Sequence, residues 1–148
     1  MQEALAAAGV ECRVVELPAS TRTAKEAAQA IGCTVAQIAK SIVFRGADSG
    51  EPYLVIASGV NRIDEAMLAA EVGEAVAMAS PEFVRQATGY AIGGVPPVGH
   101  PRALTTLIDR DLLALDELWA AAGTPNAVFR LRPDDLRALA GDHVVDVT

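Results

Sequence analysis

Lys40 is one of only two lysines in a chain that carries ten arginines, and its position suggests chemistry. It stands in the segment QIAKSIVF, between Ala39 and a predicted strand. Side chains alternate along a strand, so Lys40, Ile42 and Phe44 are predicted to share one face. If that face packs into the core, the ammonium lies at the mouth of the interior, where it needs partners or its pKa falls. A lysine at a strand end, with its charge in solvent, is the alternative.

A second candidate is the stretch TGYAIGGVPPVGH (88–100), which is rich in glycine and contains one of the two histidines. Its glycines do not have the spacing of phosphate-binding or dinucleotide-binding loops. Two adjacent prolines, Pro96 and Pro97, remove local freedom, and the glycines let a ligand approach the main chain. Amides near Gly93 and Gly94 are therefore predicted to bind a carbonyl oxygen or an oxyanion. An ordinary rigid turn remains the alternative.

Metal-dependent and covalent mechanisms have little support. His100 and His143 do not show the spacing of paired metal ligands, so neither a metal nor another cofactor is expected. Cys12 and Cys33 are too few and too isolated for a disulfide framework or a zinc site. No Gly-x-Ser-x-Gly nucleophile motif is present in the sequence.

Other polar residues have weaker signals. Ser58 and Asn61 follow a predicted buried strand into a turn, so they are predicted to line the pocket, although a polar turn explains them nearly as well. Asp109 and Asp111 are interpreted as caps and solvated loop residues.

Local signals predict the elements that position these residues. Helices are predicted to begin at capping residues and to end at glycines, with these pairs of limits: Thr23 and Gly32, Asp64 and Gly73, Ser80 and Gly89. Further helices are predicted at Gln2–Ala8 and Pro133–Ala140. Strands are predicted at Arg13–Leu17, Ser41–Arg45, Tyr53–Ser58, Glu74–Ala79, Ala103–Ile108, Leu118–Ala122, Ala127–Leu131 and His143–Val147. This order favours a mixed α/β (α+β) fold with a largely antiparallel sheet over a doubly wound parallel one.

Composition bounds the class of protein. A chain of 148 residues that is 51% hydrophobic is expected to form one domain, residues 1–148. The net charge of -7 argues against DNA binding or a broad nucleic-acid surface, but a narrow contact with one RNA end stays possible. No membrane span or signal peptide is predicted, so a cytoplasmic protein is expected.

The separate motifs together resemble one family. Lys40 in QIAKSIVF, the segment VIASGVNRID and the pattern Gly93-x-x-x-Pro97-x-Gly99-His100 resemble the YbaK/EbsC family, from about Thr23 to Val145. These are free-standing aminoacyl-tRNA deacylases similar to the editing domain of bacterial prolyl-tRNA synthetases.

The resemblance implies a curved, barrel-like mixed sheet flanked by helices, and hydrolysis of the ester between a wrong amino acid and tRNA, typically tRNA(Pro). In family terms Lys40 matches the essential lysine, which helps position the aminoacyl-adenosine end. Gly93, Pro97, Gly99 and His100 match the loop that walls the amino-acid pocket. Prolyl-tRNA synthetase or an elongation factor is an expected partner, because an acidic chain has few cations for tRNA.

The resemblance also bears on the amino acid removed. Some relatives that clear cysteine carry Ser-Gly-Gly where this chain has Ala121-Ala122-Gly123. A small uncharged side chain such as alanine or 2-aminobutyrate is therefore expected rather than cysteine. Two alternatives stay open: a non-catalytic module that binds an aminoacyl-adenosine or a synthetase, and a small-molecule hydrolase or transferase with the same pocket.

Overall fold

The computed structural model describes residues 14–18, 23–92, 94–97, 100, 104–124 and 126–148. Within them the chain forms eight strands and four α-helices. In chain order these are β1 (Val14–Glu16), α1 (Ala24–Ile31), β2 (Ile38–Gly46), β3 (Pro52–Ser58), α2 (Glu65–Val72), β4 (Val76–Met78), α3 (Pro81–Thr88), β5 (Thr105–Asp109), β6 (Leu118–Ala121), β7 (Ala127–Leu131), α4 (Pro133–Ala140) and β8 (Val144–Val145). Short 3-10 turns occupy Val35–Gln37 and Arg110–Ala114.

Three helices begin where the capping signals predict. The side chains of Thr23, Asp64 and Ser80 accept hydrogen bonds from backbone N–H groups in the first turns of α1, α2 and α3. Each of these helices ends at a glycine in the left-handed conformation, as predicted. None of the described helices has the length and hydropathy needed to span a bilayer.

The strands form one open, mixed sheet. Its order is β1-β7-β6-β2-β3-β5-β8, and β4 pairs with β2 beside that path. Pairings β1–β7, β2–β3, β2–β4 and β6–β7 are antiparallel, whereas β2–β6, β3–β5 and β5–β8 are parallel. The predicted mixed, largely antiparallel α/β architecture is confirmed.

Several predicted limits were wrong. β2 begins at Ile38 rather than Ser41, because Ala39 and Lys40 already pair with β3. Lys40 therefore lies inside the strand. β4 and β8 are shorter than predicted, since each pairs only with the end of one neighbouring strand. The predicted helix Gln2–Ala8 lies outside the described residues.

The centre of the sheet is buried on both faces. Residues 54–57 of β3 are 0% exposed, which confirms that this strand is covered on both sides. One face packs against α3 and α4, through Val84 and Leu136. On the other face Phe44 packs in a cluster with Leu68 of α2, and Ile38 packs against α1. Lys40 comes out of β2 between the cluster under α1 and the cluster under α2.

Candidate active site

Lys40 has one fixed partner in the described structure. Its Nζ donates a hydrogen bond of 2.7 Å to the backbone carbonyl of Asn61. An ammonium carries three N–H donors, and no other acceptor for Lys40 is found among the described residues. Burial lowers the pKa of Lys40 below its ordinary value, and the Asp109 carboxylate opposes part of that shift. The Lys40 ammonium is thus a partly desolvated cation, and two of its three N–H donors have no fixed partner among the described residues.

A cavity of about 210 Å³ lies on one side of Lys40. It forms because β2 and β6 separate: β6 pairs with β2 only at Ile38 and Ala39, and β4 joins β2 only from Phe44 onward. Its walls come from α1, β2, β6, Val128 and the segment before the prolines, and most of the lining side chains are apolar. We call it the splay cavity.

A second, wider cavity of about 370 Å³ lies on the other side of Lys40. Arg62, Glu65 and Met78 contribute to its lining. Lys40 and Ile42 line both cavities, so the lysine stands at their junction. Phe44 also lines the second cavity, which confirms that Lys40, Ile42 and Phe44 share one face of β2. We call this space the outer cavity.

A buried carboxylate fixes the turn that carries the carbonyl bound to Lys40. Asn61 Nδ2 donates to Asp109 Oδ2 at 2.7 Å and to Asp111 Oδ2 at 2.8 Å. Asp109 is 1% exposed and also accepts from the backbone N–H groups of Ser58 and Asp111. This network joins the end of β3 to the end of β5 and fixes the turn that carries the Asn61 carbonyl.

The glycine-proline segment forms a buried wall. Gly94, Val95, Pro96 and Pro97 are all buried, and Val95 reaches the splay cavity. A Cβ on Gly94 would lie 3.2 Å from the backbone carbon of Thr124, so glycine lets the segment pack directly on that turn. The Gly94 N–H donates to the Ala91 carbonyl at 3.0 Å, and an oxyanion could use that N–H only if this bond were shared or broken.

His100 braces the same segment. Its Nε2 lies 2.8 Å from the Pro96 carbonyl, which can only accept, so this nitrogen carries the proton. Its ring meets Tyr90 edge to face, with centroids 6.3 Å apart. Burial lowers the pKa of His100, and the hydrogen bond to Pro96 opposes part of that shift. These contacts favour the neutral ring, which is consistent with a structural role in holding the Pro96 segment in place.

The structure brings only some of the predicted site residues close to Lys40. Lys40 and Asn61 are in direct contact, but the contact uses the Asn61 backbone, and its side chain serves Asp109 and Asp111. The Ser58 side chain is 1% exposed and its hydroxyl donates to the Ala36 carbonyl. Pro97 is buried in the wall. Gly93 and Gly99 lie outside the described residues.

Asp109 is the residue that sequence reasoning misread. It caps the 3-10 turn as predicted, yet it is buried rather than solvated. The signal that could have found it is its place directly after the apolar pair Leu107 and Ile108, at the buried end of β5. An acid in that position needs several donors.

Comparison with known proteins identifies the domain. Residues 18–139 match the family model of the aminoacyl-tRNA editing domain. The chain belongs to the aminoacyl-tRNA editing domain family. The matched region contains Lys40, both cavities and the glycine-proline wall, so the family resemblance seen in the sequence is confirmed.

Individual relatives of this editing domain agree. A crystal structure of a proposed trans-editing enzyme for prolyl-tRNA synthetase is 53% identical, with a TM-score of 0.92 over 99% of this chain and 93% of that one. The uncharacterized protein YwhH of Bacillus subtilis is 33% identical over 123 residues, 83% of this chain and 78% of its own length. The proline–tRNA ligase of Limosilactobacillus fermentum is 34% identical over 94 residues, 61% of this chain but only 16% of the ligase.

Proposed function

We propose that this editing domain is a free-standing deacylase, which hydrolyses the ester of tRNA(Pro) charged with a wrong, small amino acid. The observation that supports it best is the position of Lys40, a cation with unused donors at the junction of two cavities. An aminoacyl ester has two unlike halves, an amino acid and a ribose-phosphate, and the junction offers a separate space for each. The cytoplasm, where tRNA is charged, is then the place of the reaction.

The chemistry needs neither a covalent nucleophile nor a metal, because an aminoacyl ester is already activated. The oxygen of a water adds to the ester carbonyl carbon, the bond to the ribose oxygen breaks, and that oxygen leaves with a proton as a hydroxyl. In this proposal Lys40 binds the ribose-phosphate end in the outer cavity. The tRNA 2′-hydroxyl or a bound water network assists the attacking water, since positioning alone supplies much of such a rate.

The glycine-proline wall closes the amino-acid side. We propose that Gly93 supplies an amide to the substrate carbonyl, as expected for an oxyanion site. For Gly94 we propose that its main task is to let the wall pack against the Thr124 turn, since its own N–H is used by Ala91. Pro97 and His100 hold the wall rigid, and Ser58 and Asn61 act through the network around Lys40. For Gly99 we propose a part in binding the amino acid.

Size restricts the amino acid. The splay cavity, at about 210 Å³, is smaller than pockets for drug-sized ligands, which span about 300–1,000 Å³. It therefore suits a small uncharged side chain such as that of alanine or 2-aminobutyrate. A pocket distinguishes single methylenes by only about 1–3 kcal/mol, so overlap between small amino acids is expected. Prolyl-tRNA synthetase or an elongation factor is the proposed supplier of additional tRNA affinity.

A deacylation panel tests this function. The purified domain is mixed with tRNA(Pro) charged with alanine, 2-aminobutyrate, serine, cysteine or proline, and loss of the ester is followed. We expect hydrolysis of small esters and protection of Pro-tRNA(Pro); Ala-tRNA(Ala) reports dependence on the tRNA. If every ester decays at the rate seen without protein, the domain is not a deacylase, and a binding module becomes the better account.

A further inference from the structure

The outer cavity contains a second cation beside Lys40, the guanidinium of Arg62. Neither of them has a carboxylate within ion-pair distance, because none of the ion pairs in the described part of the chain includes Lys40 or Arg62. Glu65, the acid among the described lining residues, is also absent from those pairs. Acids exceed bases in this chain, which has a net charge of -7, so two cations left unpaired in one cavity indicate that an anion binds there from outside.

The backbone of Arg62 is fixed on both sides. The preceding carbonyl, that of Asn61, accepts the 2.7 Å hydrogen bond from Lys40 Nζ, so the ammonium lies one peptide unit from the Arg62 backbone. On the other side, the N–H of Asp64 donates to the Val147 carbonyl at 2.7 Å. One fixed segment therefore carries Arg62 and binds Lys40, and a ligand of both cations need not order this backbone before it binds.

The two cations have unlike surroundings. The Lys40 side chain is half-buried where the two cavities meet, whereas Arg62 is exposed at the outer cavity. Burial of a charged group is costly, so a phosphate binds best where water still reaches it. A guanidinium also presents its N–H donors in a planar fork that matches two phosphate oxygens, which an ammonium cannot do. Arg62 is therefore the better phosphate ligand, and Lys40 is better suited to ribose and ester oxygens.

The rest of the outer cavity suits the remainder of a nucleotide. Its volume of about 370 Å³ lies within the range of small-molecule pockets, about 300–1,000 Å³. Part of its lining is apolar yet open to solvent, since Met78 is 68% exposed. A nucleotide combines a base with apolar faces, a ribose and an anionic phosphate, and an apolar surface beside two unpaired cations matches that combination. The apolar lining residues are Ile42, Phe44, Ile63 and Met78.

We propose that Arg62 binds the phosphate of the esterified terminal nucleotide, in the outer cavity beside Lys40. The inference rests on the proposed deacylase function and deepens it, because it divides the ribose-phosphate end of the substrate between two residues. The 5′-phosphate belongs to the same nucleotide as the ester, so two neighbouring cations can hold the two ends of that nucleotide. Arg62 holds the phosphate, and the remaining donors of the Lys40 ammonium serve the ribose and the ester.

The salt dependence of the reaction measures this contact. Arg62→Gln is compared with Arg85→Gln, which makes the same change of net charge at an exposed arginine of α3 that lines neither cavity. For Ala-tRNA(Pro), we expect the slope of log kcat/KM against log salt to become less steep by about 0.7 in Arg62→Gln, the share of one phosphate of a single strand. Arg85→Gln should keep the wild-type slope. Equal slopes in the two variants would overturn the proposal and leave the deacylase function intact.

The kinetic constants separate binding from chemistry. Arg62→Gln should raise KM about tenfold and change kcat by less than about twofold, because the phosphate contact is the same in the ground state and the transition state. Arg62→Lys keeps the charge but not the planar fork, so it should restore the salt slope and only part of the KM. A loss confined to kcat, or a slope in Arg62→Lys as shallow as that in Arg62→Gln, would contradict phosphate binding.

A binding measurement decides the question even if none of the esters is hydrolysed. The probes are adenosine carrying an alanyl group through a stable 3′-amide, with and without a 5′-phosphate, and calorimetry gives their Kd values. We expect the phosphate to tighten binding about tenfold in the wild type and in Arg85→Gln. Arg62→Gln should lose this gain and bind the phosphate-free probe as the wild type does. An equal gain in wild type and Arg62→Gln, or no binding of the phosphorylated probe to the wild type, would contradict the inference.

Discussion

At the scale of single residues, the site depends on how Lys40 is held. One donor is fixed to the Asn61 carbonyl, and the turn that presents this carbonyl is fixed by Asp109. Asp109 lines neither cavity, so we regard it as a positioning residue. It acts on Lys40 in two ways, through the Asn61 turn and through its charge.

Asp109→Asn is expected to lower the free energy of unfolding by about 3 kcal/mol, because an amide would direct N–H donors at a site where backbone and Asn61 donors already converge. Asp111→Asn is the matched control, since Asp111 also accepts from Asn61 but is exposed, and its effect should stay below about 1 kcal/mol. Urea unfolding measures both. Equal losses in the two variants would contradict the buried role of Asp109.

The charge of Asp109 is expected to show in the pH dependence of the rate. In the proposed mechanism deacylation needs the Lys40 ammonium, so the rate should fall as pH rises through the Lys40 pKa, which burial places below the ordinary value of 10.5. Asp109 raises that pKa, so Asp109→Asn should move the alkaline limb of the kcat/KM profile to lower pH. A limb that does not move in the variant would mean that the carboxylate does not tune Lys40.

At the scale of elements, the glycine-proline wall must stay in place on the turn at Gly123 and Thr124. Gly123 has a φ of +102°, and a Cβ there would meet the Tyr90 ring. The turn therefore requires glycine at position 123. The wall, the turn and the Tyr90–His100 ring pair therefore form one packed unit beside the splay cavity.

Gly94→Ala tests this packing. The added Cβ would meet backbone atoms at 3.2 and 3.4 Å, which cannot move as a flexible side chain can. We expect a loss of about 1–3 kcal/mol in the free energy of unfolding and a fall in deacylation, because Val95 shifts with the wall. Thermal unfolding and rate assays measure the two effects. Wild-type stability and activity together would show that the wall does not require a glycine here.

The lowered pKa of His100 predicts how the stability of this packed unit depends on pH. Its pKa in the folded protein lies below the ordinary value, so between these two pKa values the unfolded chain binds more protons. Stability is therefore fully present above the ordinary pKa of 6.5 and is lost as pH falls through this window. His100→Gln, which can still donate to Pro96 but does not titrate, should remove that part of the pH dependence. Identical acid sensitivity of both proteins in urea unfolding would refute this assignment.

What the sequence predicted depends on how local each signal is. The limits of α1 and α2 follow from Thr23 and Asp64, whose caps involve neighbours within three residues, so both were predicted correctly. Lys40 was found because alternation along β2 is also local. Asp109 was misread because its donors lie about fifty residues earlier, at Ser58 and Asn61.

The splay cavity is a harder case. It depends on the separation of β2 from β6, which pair only at Ile38 and Ala39, and alternation along one strand does not encode that separation. The sheet order, with β6 beside β2 and β5 beside β3, likewise lies beyond local patterns.

At the scale of the whole molecule, charge limits how tRNA can be held. A net charge of -7 argues against a broad phosphate-binding surface, so contacts with the tRNA should be confined to its acceptor end. We expect log kcat/KM to fall with log salt with a slope of about -1.4 to -2.1, which corresponds to two or three phosphates of a single strand. A charged minihelix should react about as well as full tRNA. A much steeper slope would indicate a larger RNA interface.

The central claim is that Lys40 is the catalytic cation of a deacylase, and one comparison tests it most directly. The rate of Ala-tRNA(Pro) hydrolysis is measured for the wild type, Lys40→Ala and Lys25→Ala, which changes the only other lysine, exposed on α1. We predict a loss of at least about 100-fold for Lys40→Ala with an unfolding transition close to wild type, and near-normal turnover for Lys25→Ala. Near-normal turnover in folded Lys40→Ala would contradict the account.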